Sequence, residues 1–459
     1  MEGYHLSKQS HSCNSGSQKK QNEKNKLEWW QLSLIGVGCT IGTGYFLGSS
    51  IGIITTGPSI VFSFIMAAVG TYIVYRFLAK MTADDPLEGS FCSYAKKAFG
   101  QWAGFSCGWI YWSSNILIMG SQLTALSILS KFWFHQIPLW VFSTGYGVTA
   151  IIVVLLGTKG FGKIENILAI IKTAAIVMFI LLAFSALLNW IPGDSSDAHV
   201  PHSMRELFPH QFIGFWSSLI YAFYAFGGIE VIGLMAMQLK KKEDAPKSGS
   251  IMLLVLTIIY VLSLGLAVCM LQYQRFSEDE SPFVKAMENT HLSFFPHVFN
   301  GAIIIAGFST MTAALFGVTN LLVTLAKDGD APSFFALKVK KINNLPLPSL
   351  GIATLGMLIS IITALLLPDK TYEYITTAAG ILLLFNWLFI IISAIRILKL
   401  NVLDKWMASI GILFLIGAIS GTMMEKMIRP GFFVSIISVA VIVIISLILT
   451  KLKAKKKEK

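Results

Sequence analysis

The sequence predicts an all-α membrane protein of twelve spans, ten forming an inverted repeat of five plus five and two more added after them. Three observations predict it. The 459-residue chain is 54% hydrophobic and only 13% charged, too few charges to cover a soluble surface of that size. Its apolar residues come in runs of about 20, the length of a helix that crosses a bilayer. The first and sixth runs are interrupted by glycine at matching places, as two repeats of five helices would produce.

The runs cover residues 32–52, 58–81, 101–130, 138–157, 164–190, 212–239, 249–271, 297–325, 347–367, 371–396, 404–423 and 431–450. The long third, sixth and eighth runs imply tilt or extension beyond the hydrocarbon. Residues 1–28, rich in Ser, Gln, Asn, Lys and His, lack an apolar stretch. They read as a disordered cytoplasmic tail and not as a signal peptide. Residues 29–400 form the ten-helix core, with repeats at about 29–190 and 210–400. Residues 401–450 are two accessory helices, and 451–459 a basic cytoplasmic tail.

An even number of spans puts both termini on one side, and charge chooses the side. Of 36 Lys and Arg, 28 fall in the tails, the loops on the terminal side and the helix ends beside them. Seven fall on the other side: Lys131, Arg205, Arg275, Lys285, Lys370, Lys426 and Arg429. Both termini are therefore expected in the cytoplasm and the protein in the plasma membrane. The same distribution accounts for the net charge of +12 without nucleic acid. Cys13, Cys39, Cys92, Cys107 and Cys269 are odd in number, contain no Cys-x-x-Cys, and read as small apolar residues. His199 and His202 lack further ligands, so no metal is expected. No nucleophile–base set or phosphate loop marks an enzyme, and no cofactor is expected.

The first interruption is Gly38-Cys39-Thr40-Ile41-Gly42-Thr43-Gly44. Glycine weakens the helix, and a break near Gly42 and Gly44 would bare N–H and C=O groups at mid-membrane. The start of the second half-helix suits a carboxylate, and the end of the first suits an ammonium. An α-amino acid is the simplest solute carrying both, and Thr43 adds a hydroxyl. The second interruption is Phe226-Gly227-Gly228-Ile229-Glu230. Close helix packing explains one glycine-rich span; two at matching positions, one beside an acid, favour a binding site.

Ionisable groups inside spans are costly and usually functional. Glu230 reads either as a proton-binding carboxylate or as a brace for the unwound segment. Lys172, about two turns into the fifth span, reads as a coupling group or as a fixed cation where a sodium ion would otherwise sit. Ser113, Asn115, Ser121 and Gln122 of the third span and Ser309, Thr310, Thr312 and Asn320 of the eighth are weaker candidates, since such residues commonly bond their own backbone. Tyr221, Phe223, Tyr224 and Phe226 read as aromatic packing or as a lid.

Gly38 to Gly48 resembles the first-helix signature of the amino acid–polyamine–organocation superfamily, in its amino acid permease branch. Phe226-Gly-Gly-Ile-Glu230 is similar to that family's sixth helix. Gly89-Ser90-Phe91 with Tyr94, Trp109-x-Tyr111-Trp112, Phe161-Gly162-Lys163-Ile164-Glu165, Ile171-Lys172 and Lys327-Asp328-Gly329 with Pro332 extend the resemblance over about residues 27–450. It implies a LeuT-like repeat and amino acid transport, by proton symport or by exchange. It also implies a substrate site of Thr40, Ile41, Gly42, Thr43, Gly44, Tyr224, Phe226 and Gly227. Amides at 42–44 would hold the carboxylate, carbonyls near Thr40, Tyr224 and Gly227 the amine, and Tyr224 would be a gate. Glu230 and Lys172 match the family's coupling carboxylate and its lysine in the sodium-like site.

Four departures stand out: Cys39 for glycine, Glu88 before Gly89, Gln238 for an acid after the sixth helix, and Thr319-Asn320 for a Ser-Arg pair. Gln238, with Gln122 on the third span, argues against a cationic substrate. The expectation is import of a neutral, apolar amino acid with a proton, by a monomer or weak homo-oligomer in the bilayer. An exchanger on the same fold, or a non-transporting amino acid receptor, is the alternative.

Overall fold

The chain turns helical at Trp29, where the Glu28 amide donates to Gln31 Oε1 at 2.9 Å and closes the first turn. In this computed structural model the described residues are 27–87, 89–191, 200–230, 239–339, 345–366 and 371–457. Expectations on residues 1–26, Glu88, His199 and Gln238, and on the side chains of Cys39 and residues 157–166, lie outside them.

In chain order the helices are α1 (Trp29–Thr40), α2 (Thr43–Phe46), α3 (Gly48–Thr56), α4 (Ile60–Asp84), α5 (Phe91–Phe99), α6 (Gln101–Ser130), α7 (Leu139–Leu155), α8 (Gly157–Leu187), α9 (Met204–Leu207), α10 (Gln211–Ala225), α11 (Ala245–Met270), α12 (Pro282–Ala286), α13 (Phe295–Lys327), α14 (Leu347–Leu366), α15 (Thr371–Ile397), α16 (Val402–Gly421) and α17 (Arg429–Lys457). Among the described residues extended pairing is limited to two isolated bridges, Leu27–Leu239 and Val339–Leu345. Among the described residues seven helical segments are long and apolar enough to cross a membrane: 43–84, 167–187, 245–270, 295–327, 372–397, 402–421 and 429–453.

Apolar side chains cover much of the outside. Ile170, Leu181, Leu254 and Ile437 are each at least 60% exposed, and the apolar face of α17 is largely exposed. Water would penalise such a surface, and lipid would not. The interior is aromatic around Tyr45, whose ring stacks on Tyr260 at 4.0 Å and meets Phe283 at 5.1 Å. The centre is built by α6, which packs along α13 and α15, while α4 lies against α11 and α10 against α3.

Both ends of the described chain lie on one face. The Lys240 amide donates to the Leu27 carbonyl at 2.9 Å, and Lys240 pairs with Glu28. Lys453 Nζ donates to the Gly329 carbonyl at 2.7 Å. Contacts link these two points: Tyr75 bonds the Ala245 carbonyl, Asp85 pairs with Lys97, and Gln101 bonds Asp330. On this face, burial pushes the Asp330 carboxyl above the usual carboxylate range, against the opposing hydrogen bond from Gln101.

One expectation needs correction. The basic segment 451–459 is not a loose tail over its described part, because α17 runs on to Lys457 and Lys453 is anchored. Lysine is a good helix former and nothing in the run stops the helix. A further element, α5, is signalled by no apolar run. It is a short helix burying Phe91, Cys92, Tyr94, Ala95 and Ala98, ended by Gly100 at φ 89°.

Candidate substrate site

The first rod breaks at Ile41–Gly42 and not at Gly44, which lies inside α2. Ile41 and Gly42 are both extended, and helical bonding restarts with Tyr45 and Phe46 donating to the Gly42 carbonyl at 3.1 Å each. Gly42 has φ −148°, which any residue adopts, so conformational freedom is not its reason. Space is: an added Cβ would stand 2.9 Å from Thr310 of α13. The backbone bonds that close this turn begin at Tyr45, which leaves the Gly42, Thr43 and Gly44 amides outside it.

The second rod stops at Ala225, turns through Phe226–Gly228, and is helical again at Ile229 and Glu230. Gly228 has φ +108°, in the region that favours glycine. Gly228→Ala is expected to cost about 1–3 kcal/mol and to lower the thermal midpoint in detergent; an unchanged midpoint would count against strain here.

The two breaks meet. A Cβ on Gly44 would stand 2.6 Å from Tyr224 Cε1. Tyr224 is buried, and its hydroxyl, beside Ser121, makes no hydrogen bond of ordinary geometry. Thr43 Oγ1 donates to Gln122 Oε1, and the Thr43 carbonyl accepts from Tyr372 Oη at 3.2 Å. The Tyr224 carbonyl takes the Gly227 amide at 2.9 Å.

Of the predicted residues, Thr40 and Phe226 turn their side chains to other partners, while Ile41 is part of the first break itself. Thr40 donates to its own helix at the Gly36 carbonyl, 2.9 Å away, and Ile41 is wholly buried. Phe226 packs on Tyr260 at 5.2 Å and on Phe64 at 6.2 Å, within the aromatic core. Asn115, Thr312 and Asn320 bond their own helix carbonyls.

Glu230 is buried and receives three donors: Tyr111 Oη at 3.1 Å, the Gly228 amide at 3.2 Å and Trp387 Nε1 at 3.3 Å. An ionised carboxylate accepts that whole set, and the Gly228 bond ties it to the break itself. Lys172 is fully buried on α8 and donates to Ser309 Oγ of α13 at 2.9 Å. Beside it α1 approaches α8 at Gly38, where a Cβ would stand 2.6 Å from that of Ala169. Gly38 therefore serves close packing, whereas Gly42 and Gly44 make room for the other rods. Sequence reasoning gave no role to Tyr372, Trp387 or Tyr111; each is an aromatic inside an apolar run, and its polar atom carries no signal there. Cys92, Cys107 and Cys269 are free thiols, and among the described residues no group of three His, Cys, Asp or Glu gathers to hold a metal.

Broken helices enclosing a polar centre, inside an apolar exterior, define a multi-pass membrane protein. The model of the amino acid permease family matches residues 31–459, and the chain belongs to that family, within the amino acid–polyamine–organocation superfamily. It is 51% identical over 438 residues to the uncharacterized transporter YcgH of Bacillus subtilis (strain 168), covering 95% of this chain and 98% of that one. It is 28% identical over 382 residues to the aromatic amino acid transport protein AroP of Escherichia coli (strain K12), covering 83% and 82%. The AroP protein of Salmonella typhimurium (strain LT2) is 28% identical over 373 residues, covering 81% and 80%.

Proposed function

We propose that this amino acid permease imports a neutral, apolar amino acid across the plasma membrane by proton symport. Its fold would be a LeuT-like five-plus-five repeat of ten spans with two accessory spans, both termini cytoplasmic, working as a monomer or weak homo-oligomer. The observation that carries the site is Gly44, just past one break, lying under Tyr224, just before the other. The substrate carboxylate would bind the amides at 42–44 and displace or join the Thr43–Gln122 bond. The amine would bind carbonyls near Thr40, Tyr224 and Gly227. The groups that meet there, Thr43, Gln122, Thr310, Tyr224 and Tyr372, carry no charge at neutral pH, which suits a neutral side chain. The aromatic amino acid transport proteins among the relatives support an apolar one. Lys172 or Glu230 would couple the proton.

One observation favours exchange instead. Lys172 is seated on Ser309, as a fixed cation bridging α8 and α13 would be. The test is uptake of labelled amino acids by proteoliposomes with and without an inward proton gradient, then with unlabelled amino acid preloaded. Gradient-driven accumulation of apolar amino acids supports symport. Uptake that needs preloading and ignores the gradient selects the exchanger, and binding with neither uptake nor exchange ends the transport reading.

A further inference from the structure

The helix α17 has two faces, and one of them runs from apolar surface into positive charge. Ser446 Oγ donates to the Trp102 carbonyl of α6 at 2.7 Å, and Lys453 Nζ donates to the Gly329 carbonyl at 2.7 Å. Two helical turns apart, these residues lie on one side and hold α17 against the protein. On the other side Val441, Ile444, Ile448 and Leu452 are 48% to 58% exposed. They recur every three or four residues, so they form one apolar stripe. In a bilayer that stripe meets lipid chains.

The helix does not stop where the stripe does. It continues to Lys457, and its register carries the same side into lysine. Lys451 and Lys455 lie two turns beyond Ile444 and Ile448, and Lys456 one turn beyond Leu452. Measured from Arg429 at 1.5 Å per residue, α17 rises about 33 Å to Lys451 and about 40 Å to Lys456. The hydrocarbon is about 30 Å thick, and headgroups extend it to about 40–45 Å. These three positions therefore stand at headgroup level, at the end of the stripe on which the chains pack. Residues 429–457 contain no Asp or Glu. Asp330, 3.9 Å from Lys453, lies on the protein side of the helix. A zwitterionic headgroup neutralises its phosphate with its own cation, whereas an anionic one brings uncompensated charge to the lysines.

We propose that the lipid-facing end of α17 is a docking surface for an anionic phospholipid. Its phosphate sits at Lys451, Lys455 and Lys456, and its chains lie along residues 441–452. This surface goes beyond the transport reading and does not depend on it. The helix that carries the lysines is already anchored at Trp102 and Gly329, so binding does not have to order a loose tail.

The test uses the full-length protein in detergent with equal amounts of phosphatidylglycerol and phosphatidylcholine. Lipid retained by the protein is counted by native mass spectrometry at low and at raised ammonium acetate concentration. The wild type is expected to retain phosphatidylglycerol preferentially, and the preference is expected to shrink as salt rises. Lys451→Gln, Lys455→Gln and Lys456→Gln, combined stepwise, are expected to lower the preference by about fivefold per lysine removed. Lys241→Gln, Lys327→Gln and Lys338→Gln together remove the same charge from exposed positions that continue no lipid-facing stripe. That variant is expected to keep the wild-type preference. Equal retention of the two lipids by the wild type overturns the proposal, as does an unchanged preference in the α17 triple variant or an equal loss in the control. Displacement of the lipid by an equal concentration of glycerol phosphate also overturns it, in favour of a site for free phosphate.

Discussion

Gly44→Val is expected to reduce amino acid uptake by at least ~100-fold, the equivalent of about 3 kcal/mol in the rate-limiting barrier. The reason is the shared space of the two breaks. A Cβ at position 44 would stand 2.6 Å from Tyr224 Cε1 and 2.7 Å from Cδ1, and valine adds two methyl groups beyond it. The Tyr224 ring is buried, which limits its retreat. Overpacking a core of this kind costs about 1–3 kcal/mol in stability, and here it also drives the half-helices apart. Gly145→Ala is the control, because a methyl there meets nothing within 4 Å. The measurement is initial uptake in proteoliposomes normalised to reconstituted protein. Near wild-type uptake by Gly44→Val would separate transport from the meeting of the breaks.

Glu230→Ala carries the second large effect. It strands three buried donors, the Tyr111 hydroxyl, the Gly228 amide and the Trp387 indole. Each stranded donor costs about 1–3 kcal/mol, and the turn at Phe226–Gly228 loses its tie. A lower thermal midpoint in detergent and uptake reduced on the order of 100-fold are expected together. Glu230→Gln separates the two readings of this acid. An amide still accepts through its oxygen, but its NH₂ faces at least one donor, so a brace is weakened and not removed. With three donors converging on it, Glu230 is expected to act as the brace, and proton-driven accumulation and counterflow fall in parallel in Glu230→Gln. Loss of accumulation with counterflow intact would instead make Glu230 the proton carrier.

Much of the architecture was legible from hydropathy. The third and ninth runs match α6 and α14 within a residue, because a bilayer-length apolar run leaves a helix little choice of ends. The two interruptions fall where glycine clusters. Their mechanism was not legible: Gly42 is needed for room against Thr310 and not for an unusual backbone, and Gly38 packs against Ala169. The helix α5 escaped because nine residues carry only one short buried stripe.

Apolar length, glycine interruptions and ionisable residues are properties of position along the chain, so the sequence alone determined that this is a multi-pass helical membrane protein and that two of its rods are interrupted near glycine. Which side chains meet across those rods was decided only by tertiary packing. Thr43 finds Gln122 and Tyr372, and Glu230 finds Trp387, because the rods settle at a particular depth and rotation. That setting comes from close packing of residues far apart in the chain, which hydropathy does not record.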